Sequence, residues 1–363
     1  MAFIVFSVLI IFMAFMEAAI PYLVKRTVVF GVTVPEQHVT DQRLIHYKRT
    51  YSIIVAAVSA ASFAYFFFWY SRTNPAEEQI VLYGMFIQFG IMILSVALYF
   101  FYHGKATRLK KAENWGENVK QVKAADLSAR THDEMLPWYV FLLPMIITVG
   151  VLIYTIIKYP VLPDQMPMHW GIDGKPDAFT NKTPISAIQM PLILLVMQVM
   201  MMAMNLSQKR SGIKVSATNT TGTRTRQLAL RKYSSWFTFL TSLLLTMLFV
   251  FFQLSTIHEG LAGDAMTFAI PMIFMLLVLV GTIIFAIKVG TAGNKHTAPP
   301  AEGIEDYDED DYWKGGLFYF NKNDPSIFVE KRFGVGWTLN FANPIGYIII
   351  FVPLIIVLVL SFL

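Results

Sequence analysis

The sequence predicts an all-α polytopic membrane protein with about eight transmembrane helices and a small cytoplasmic β meander in its last long loop. Hydrophobic residues make up 55% of the 363 residues and charged residues only 15%, against roughly 25% charged in soluble domains. Several apolar runs reach about 20 residues, the length that crosses a hydrocarbon core of roughly 30 Å. Aromatic and β-branched residues at 313–343 break this pattern and predict short strands.

Eight apolar runs supply the predicted spans, and the loops between them predict their orientation. The spans cover 2–22, 51–70, 80–102, 136–157, 185–206, 234–256, 265–288 and 344–363. Four loops, with Lys288 at the edge of one, hold 25 of the 29 Lys and Arg residues. These loops are 23–50, 103–135, 207–233 and 289–343. Because basic loops stay in the cytoplasm, we expect a multi-pass protein of the cell membrane with both termini outside the cytoplasm.

Composition narrows the chemistry and the partners. The chain has no cysteine, which excludes disulfides, thiolate metal sites and cysteine nucleophiles. The net charge of +5 is explained by the short basic loops, so the lipid bilayer is the expected partner and nucleic acid is not. A methionine-rich fifth span raises a Cu(I) path as an alternative, although methionine is also an ordinary filler of apolar packing. We predict no cofactor and no metal.

The predicted regions follow the spans. They are a three-span region at 1–135, a two-span module with a polar outer loop at 136–206, a two-span region at 207–288, an acidic linker and β module at 289–343, and a last span at 344–363. Glu17 is the one charged side chain predicted inside a span, which makes it a candidate for proton coupling. The alternative is that Glu17 lies near the cytoplasmic end of its span and snorkels, or pairs with Lys25 or Arg26. No connected polar pathway through the spans is apparent.

The outer loop 158–184 concentrates the candidate ligand-binding residues. Five prolines stiffen it, and it carries His169, Trp170, Asp173, Asp177 and Lys182. Rigid loops with an aromatic side chain are typical of recognition sites. An imidazole beside two carboxylates is also compatible with a metal-dependent hydrolase. The motifs His-Glu-x-x-His and Gly-x-Ser-x-Gly of established hydrolases are absent from the sequence, so we predict no catalytic residue.

The last long loop contains two contrasting parts. The acidic run from Glu302 to Asp311 predicts a solvated, disordered tether. Three short aromatic and β-branched runs then predict a β meander too small to fold alone, which we expect to pair with the segment Val28–Val34. The candidate functional residues of this cytoplasmic module are Asn321, Asp324, Pro325, Trp337 and Asn340.

Two segments resemble known bacterial membrane modules. The stretch from Leu162 to Gly171, with Gly174, Asp177 and Lys182 behind it, resembles the extracytoplasmic motif of a family related to SdpI-type immunity proteins. The segment 313–343 resembles a second module of unknown function that often accompanies the first. Its hallmarks are Gly316, Phe318, Tyr319, Asn321, Asp324, Pro325, Val329, Gly336, Trp337, Thr338 and Asn340.

The resemblance implies a function in the bacterial envelope. SdpI-type proteins protect a cell from a secreted toxic peptide and take part in signalling. By this likeness we expect a sensing or immunity protein whose outer loop engages a secreted peptide or another envelope component. We also expect a regulator as a binding partner in the cytoplasm. The alternatives are a proton-coupled transporter that uses Glu17 and a membrane hydrolase centred on His169.

Overall fold

A computed structural model describes residues 2–115, 120–122, 124–125, 127–171, 176–258, 260–261, 263–293 and 304–362. Within these residues the predicted spans form eight long helices. They are α1 (Ala2–Leu23), α2 (Gln42–Thr73), α3 (Glu77–Ala112), α4 (Leu142–Lys158), α5 (Pro184–Arg210), α6 (Thr220–Ile257), α7 (Asp264–Gly290) and α8 (Pro344–Ser361). Each is long and apolar enough to cross a membrane, α4 together with the 3-10 turns before and after it. The predicted fold class is confirmed.

Three helices run well beyond their predicted spans. Helices α2, α3 and α6 contain 32, 36 and 38 residues, and 36 residues extend about 54 Å. The polar ends have their own start signals. The side chain of Asp41 caps α2 by accepting from the amide of Arg43, and Asn219 caps α6 by accepting from the amide of Gly222. These caps satisfy helix amides outside the apolar stretch.

The helices form two groups of three. Helices α1, α2 and α3 pack on one another, and so do α4, α5 and α6. Helix α7 contacts both α6 and α1, and α8 packs on α5. The outward faces carry exposed apolar side chains such as Phe67, Phe86 and Ile146, as expected where helices meet lipid.

Short strands occupy the loops and pair two by two in the described residues. They are β1 (Val28–Val29), β2 (Val32–Thr33), β3 (Lys120–Val122), β4 (Ala124–Ala125), β5 (Gln165–Trp170), β6 (Pro176–Asn181), β7 (Lys214–Val215), β8 (Ile304–Asp306), β9 (Trp313–Lys314), β10 (Phe318–Tyr319), β11 (Phe328–Glu330) and β12 (Trp337–Leu339). The pairs are β1–β2, β3–β8, β4–β7, β5–β6, β9–β10 and β11–β12. Only β3–β8 among them is parallel.

The predicted pairing of Val28–Val34 with the β module is wrong. This segment folds back on itself as the hairpin β1–β2, because Gly31 at its turn takes a φ of 77°. The hairpin instead docks on the module through this turn. The guanidinium of Arg332 donates to the Gly31 carbonyl at 3.0 Å, and a Cβ built on Gly31 would lie 2.7 Å from the Gly316 Cα.

The acidic run also differs from the prediction. Its described part, 304–311, is called here the acidic strap. Strand β8 of the strap pairs with β3, and the strap carboxylates bind groups on several other elements, as detailed below. A solvated tether was expected because the run is rich in like charges, but the cations that neutralise them are distant in the sequence.

Candidate functional site

The loop between α4 and α5 is a β-hairpin at the end of the bundle opposite the four basic loops. Strands β5 and β6 pair from Gln165 with Asn181 to Trp170 with Pro176. The register shifts between Pro167 and Trp170, where a proline without an N–H cannot extend the ladder. The side-chain amide of Gln165 donates to the Asn181 side-chain oxygen at 2.8 Å.

One side of the hairpin is anchored to the helices. The ring of Trp170 lies 4.5 Å, centroid to centroid, from the ring of Phe252 on α6. Met166 is 3% exposed and belongs to an apolar cluster with Leu162. The ammonium of Lys182 donates to the Leu162 carbonyl at 2.7 Å. Two of the predicted ligand-binding residues, Trp170 and Lys182, therefore hold the hairpin in place.

The other side of the hairpin is open. The Nδ1 atom of His169 lies 2.5 Å from a carboxylate oxygen of Asp177, and their side chains are 69% and 52% exposed. Phe179 is 55% exposed on the neighbouring strand. Asp173 lies in 172–175, outside the described residues. No group of three potential metal ligands occurs among the residues described, so the hydrolase alternative is supported only by the His169–Asp177 pair.

Polar side chains join α4, α5 and α6 within their predicted spans. The amide of Gln198 donates to the hydroxyl oxygens of Thr148 and Thr246, at 2.7 and 2.8 Å. Nearer the hairpin, the amide of Gln253 donates to the Thr155 hydroxyl at 3.2 Å. All five side chains are at least 98% buried. These layers were not predicted from the sequence because their side chains are polar but uncharged.

The spacing of these layers is visible once their positions are known. Ser235, Ser242, Thr246 and Gln253 recur at intervals of seven, four and seven residues along α6, which places them on one helix face. Hydrogen bonds between helices help to hold membrane bundles together, and each contributes about 0.6 kcal/mol on average. Helices α4, α5 and α6 thus form one polar-bonded unit beneath the hairpin.

A buried arginine closes the opposite end of this unit. Arg231 on α6 is 1% exposed. Its guanidinium donates twice to the Asp133 carboxylate, at 2.7 and 3.0 Å. It also donates to the carbonyls of Gln208, Lys209 and Ser211 at the end of α5. The pair was missed because Arg231 is one of seven cations in its loop and its partner is 98 residues away.

Glu17 joins the three helices of the other group. Its carboxylate accepts a hydrogen bond from the Ser95 hydroxyl on α3. The Tyr51 hydroxyl of α2 lies 2.7 Å from the same Ser95 oxygen. Among the described residues, no ion pair links Glu17 to Lys25 or Arg26. The alternative of an ion pair at the membrane edge is therefore wrong.

Three of the predicted module residues form one amide cluster. The side-chain amide of Asn340, which is 1% exposed, donates to the carbonyls of Asn321 and Asp324 at 2.9 and 3.0 Å. Its oxygen accepts from the Asn321 amide at 3.1 Å. The carbonyl of Pro325 accepts from the Asn343 side chain at 3.3 Å. This cluster joins the two hairpins of the module just before α8.

The module is attached to α6 and to the segment that precedes it. The indole N–H of Trp337 donates to the Ser234 hydroxyl at 2.9 Å. The carboxylate of Asp324 lies 3.1 Å from the Lys214 ammonium. Burial opposes the charge on Lys214, but Glu309 nearby and the other acidic groups outweigh it and raise the pKa of this lysine.

The acidic strap places the Asp306 carboxylate just before α6. Asp306 accepts from the amides of Ala217 and Thr218, at 2.6 and 3.4 Å, and from the Ser216 hydroxyl at 2.5 Å. Backbone N–H groups before a helix N-terminus favour an anion. The strap therefore supplies its own anion at this position.

Two further strap carboxylates bind cations from other elements. Asp310 lies 2.7 Å from the Lys110 ammonium of α3, contacts the Arg332 guanidinium and accepts from the Thr33 amide at 3.0 Å. Asp308 contacts the same Lys110 ammonium. Burial favours the neutral form of Asp310, but the two cations outweigh it and hold its pKa at about 2. The strap is thus ionised and docked at neutral pH.

A cavity of about 510 Å³ lies under the strap, between the β module, the hairpin β1–β2 and the start of α6. Six basic and six acidic side chains line it, and three of the acidic ones, Asp306, Asp308 and Glu309, come from the strap. Asn321, Asp324, Pro325 and Trp337 of the predicted module residues also reach its wall. Such a volume is in the range of small-ligand pockets.

Two families match parts of the chain. Residues 146–195 match a domain of unknown function, DUF1648, and residues 322–347 match a family of unknown function, DUF5808. No curated protein and no solved structure matches the chain. The first match covers α4 from residue 146, the hairpin β5–β6 and the first half of α5, and the second covers β11, β12 and the start of α8. One match therefore includes the hairpin β5–β6 and the other includes part of the β module. Helix α6 contacts both.

Proposed function

We propose that this protein is a sensing or immunity protein of the bacterial cell membrane. Its hairpin β5–β6 lies outside the cytoplasm and recognises a secreted peptide or another envelope component. Its four basic loops and the β module lie in the cytoplasm, where the module acts on a regulator. The likeness to SdpI-type immunity proteins supports the class of ligand, and the excess of Lys and Arg in the four loops supports the orientation.

The proposal rests on one observation. Helix α6 contacts both the hairpin β5–β6 and the β module. Phe252 near one end of α6 packs on Trp170 of the hairpin. Ser234, at the other end of the predicted span 234–256, accepts from Trp337 of the β module. These two positions are about 27 Å apart along a helix, and the layer of Gln198 with Thr148 and Thr246 lies between them. A ligand that moves the hairpin therefore acts on the helix that holds the module.

The exposed face of the hairpin fits a peptide ligand. The β6 strand is exposed along most of its length, and an exposed strand edge offers backbone groups to an extended peptide. The His169–Asp177 pair and Phe179 add a polar and an aromatic contact on this surface. These residues, and not the anchors Trp170 and Lys182, are the proposed ligand contacts.

A strain that lacks the gene tests this proposal. The deletion strain is challenged with a panel of cationic antimicrobial peptides and cell-wall inhibitors, with and without the wild-type gene on a plasmid. We expect the gene to restore survival against at least one agent, and Trp170→Ala to lose that protection at equal expression. Trp138→Ala is the matched control, because Trp138 is 50% exposed away from the hairpin. Full protection by Trp170→Ala would contradict the proposal.

Proton-coupled transport is the second candidate. An intramembrane carboxyl group is a frequent proton carrier, and Glu17 is hydrogen-bonded to a hydroxyl at the meeting point of three helices. Proteoliposomes with an imposed proton gradient test this candidate. Solute uptake that Glu17→Gln abolishes would support it, and equal uptake by the variant would exclude the role of Glu17.

A further inference from the structure

The cavity under the acidic strap has donors that the protein does not satisfy. The indole N–H of Trp313 has no hydrogen-bond partner, although this side chain is 7% exposed. Lys25 and Lys331 line the same cavity, and no ion pair in the described part of the chain involves either of them. All three groups are donors. A ligand that satisfies them must bring acceptor atoms and negative charge.

The strap carboxylates hold several other donors of this region. Asp306 binds the backbone amides before α6, Glu309 lies 3.0 Å from the Lys214 ammonium, and Asp308 and Asp310 share Lys110. Each of these donors belongs to a different part of the fold from the strap. If the strap leaves, three of the six acidic side chains leave the cavity wall while all six basic ones stay.

The strap is bound in a way that allows an anion in solution to displace it. Among described residues, its backbone-to-backbone bonds run to β3, apart from the one that the Tyr312 amide donates to the Glu309 carbonyl in the adjoining turn. The described side chains of 306–311 are half-buried or exposed. Partly exposed ion pairs are weak and are screened by salt. The strap is therefore bound mainly by charge, without an apolar core of its own.

We propose that the cavity is a binding site for a phosphate-bearing anion, and that the strap carboxylates occupy its donors until that anion displaces them. Lysine ammonium groups and the amides before a helix are common phosphate ligands. The cavity lies next to the end of α1, so both a soluble phosphate compound and the headgroup of an anionic lipid have this chemistry. This site is independent of the function proposed for the hairpin.

Hydrogen exchange of the purified full-length protein tests the site and distinguishes the two sources of phosphate. In nanodiscs of phosphatidylcholine, inorganic phosphate is added, with sodium chloride at equal ionic strength as the control for screening. In a second arm, nanodiscs of phosphatidylglycerol replace those of phosphatidylcholine without added phosphate. We expect the amides of 306–311 to exchange about fivefold faster in at least one arm. A response to phosphate indicates a soluble ligand, and a response to phosphatidylglycerol alone indicates a lipid headgroup. No response in either arm would overturn the proposal.

Charge variants test the competition itself. Asp306→Asn combined with Asp308→Asn should tighten binding of the active anion about fivefold, because fewer strap carboxylates compete. The control is Asp311→Asn, which removes one negative charge, against two in the strap variant, from an exposed position outside the cavity wall. Equal affinity in the strap variant and the control would overturn the competition.

A second pair of variants leaves the strap unchanged. Lys25→Gln combined with Lys331→Gln should weaken binding of the same anion about fivefold. The control is Lys322→Gln, which is exposed in the same module but does not line the cavity. This comparison applies even if the strap variant does not fold. Unchanged affinity of the double lysine variant would show that the anion does not bind in this cavity.

Discussion

Replacing Arg231 by methionine should destabilise the protein more than almost any other single change outside the apolar contacts. The guanidinium of Arg231 makes five hydrogen bonds, two of them to Asp133. The Asp133 side chain is itself only 9% exposed. Arg231→Met keeps an unbranched apolar stem at this position but leaves this carboxylate buried without a cation.

The expected loss follows from that unpaired charge. Breaking a buried ion pair by removing one partner lowers the free energy of unfolding by about 3–5 kcal/mol. Asp133→Asn should lower it less, by about 1.5–3 kcal/mol, because Arg231 keeps three backbone carbonyl acceptors. Unfolding of the purified protein in mixed detergent micelles, followed by tryptophan fluorescence, measures both changes.

The chain offers a matched control one residue along. Lys232 pairs with Glu134 just as Arg231 pairs with Asp133, but the two side chains are 39% and 65% exposed. Lys232→Met should therefore change the free energy of unfolding by less than about 1 kcal/mol. If Arg231→Met and Lys232→Met were equally mild, the burial argument for this end of the α4–α6 unit would be refuted.

Three further predictions concern other parts of the fold. The Asp310 carboxyl has a pKa of about 2 when docked, against an ordinary value of 3.8. Its ionised form therefore stabilises the docked strap by about 2 kcal/mol above pH 4, and this contribution disappears as the pH falls towards 2. A spin label on the strap should then become mobile. Gly31→Ala should lower the free energy of unfolding by about 1–3 kcal/mol, because the new Cβ would lie 2.3 Å from the Tyr99 hydroxyl, and a wild-type stability would contradict this. Gln198→Leu should lower it by about 0.6–1.7 kcal/mol, and a more stable variant would show that the polar layer does not join the helices.

The helices were predictable because each has an apolar run long enough to cross a membrane, and this signal needs no partner. Their ends were less predictable. The extension of α2 back to Gln42 depends on the Asp41 cap and on polar residues that face the loops, and hydropathy does not detect either. The turn at Gly31 was missed for a related reason. Val28–Val34 has the composition of a strand, but the positive φ of its glycine folds it back on itself.

The candidate site was predicted in part. The sequence places His169 and Asp177 eight residues apart, and the hairpin brings them to 2.5 Å. That Trp170 faces α6 instead of a ligand depends on a contact with Phe252, 82 positions away in the sequence. The docking of the strap is similarly non-local, since Asp310 meets Thr33 and Lys110. A run of like charges indicates a tether only when no distant cations neutralise it.

The proposed function depends on which end of the bundle faces the outside. The chain contains no cysteine, so single cysteines report position without background. Ala178→Cys lies on an exposed strand of the hairpin, and Lys322→Cys lies in the β module, also exposed. In intact cells, a maleimide that does not cross membranes should label the variant at 178, and should label the one at 322 only after permeabilisation. Labelling of 322 in intact cells, with 178 protected, would contradict the proposed function.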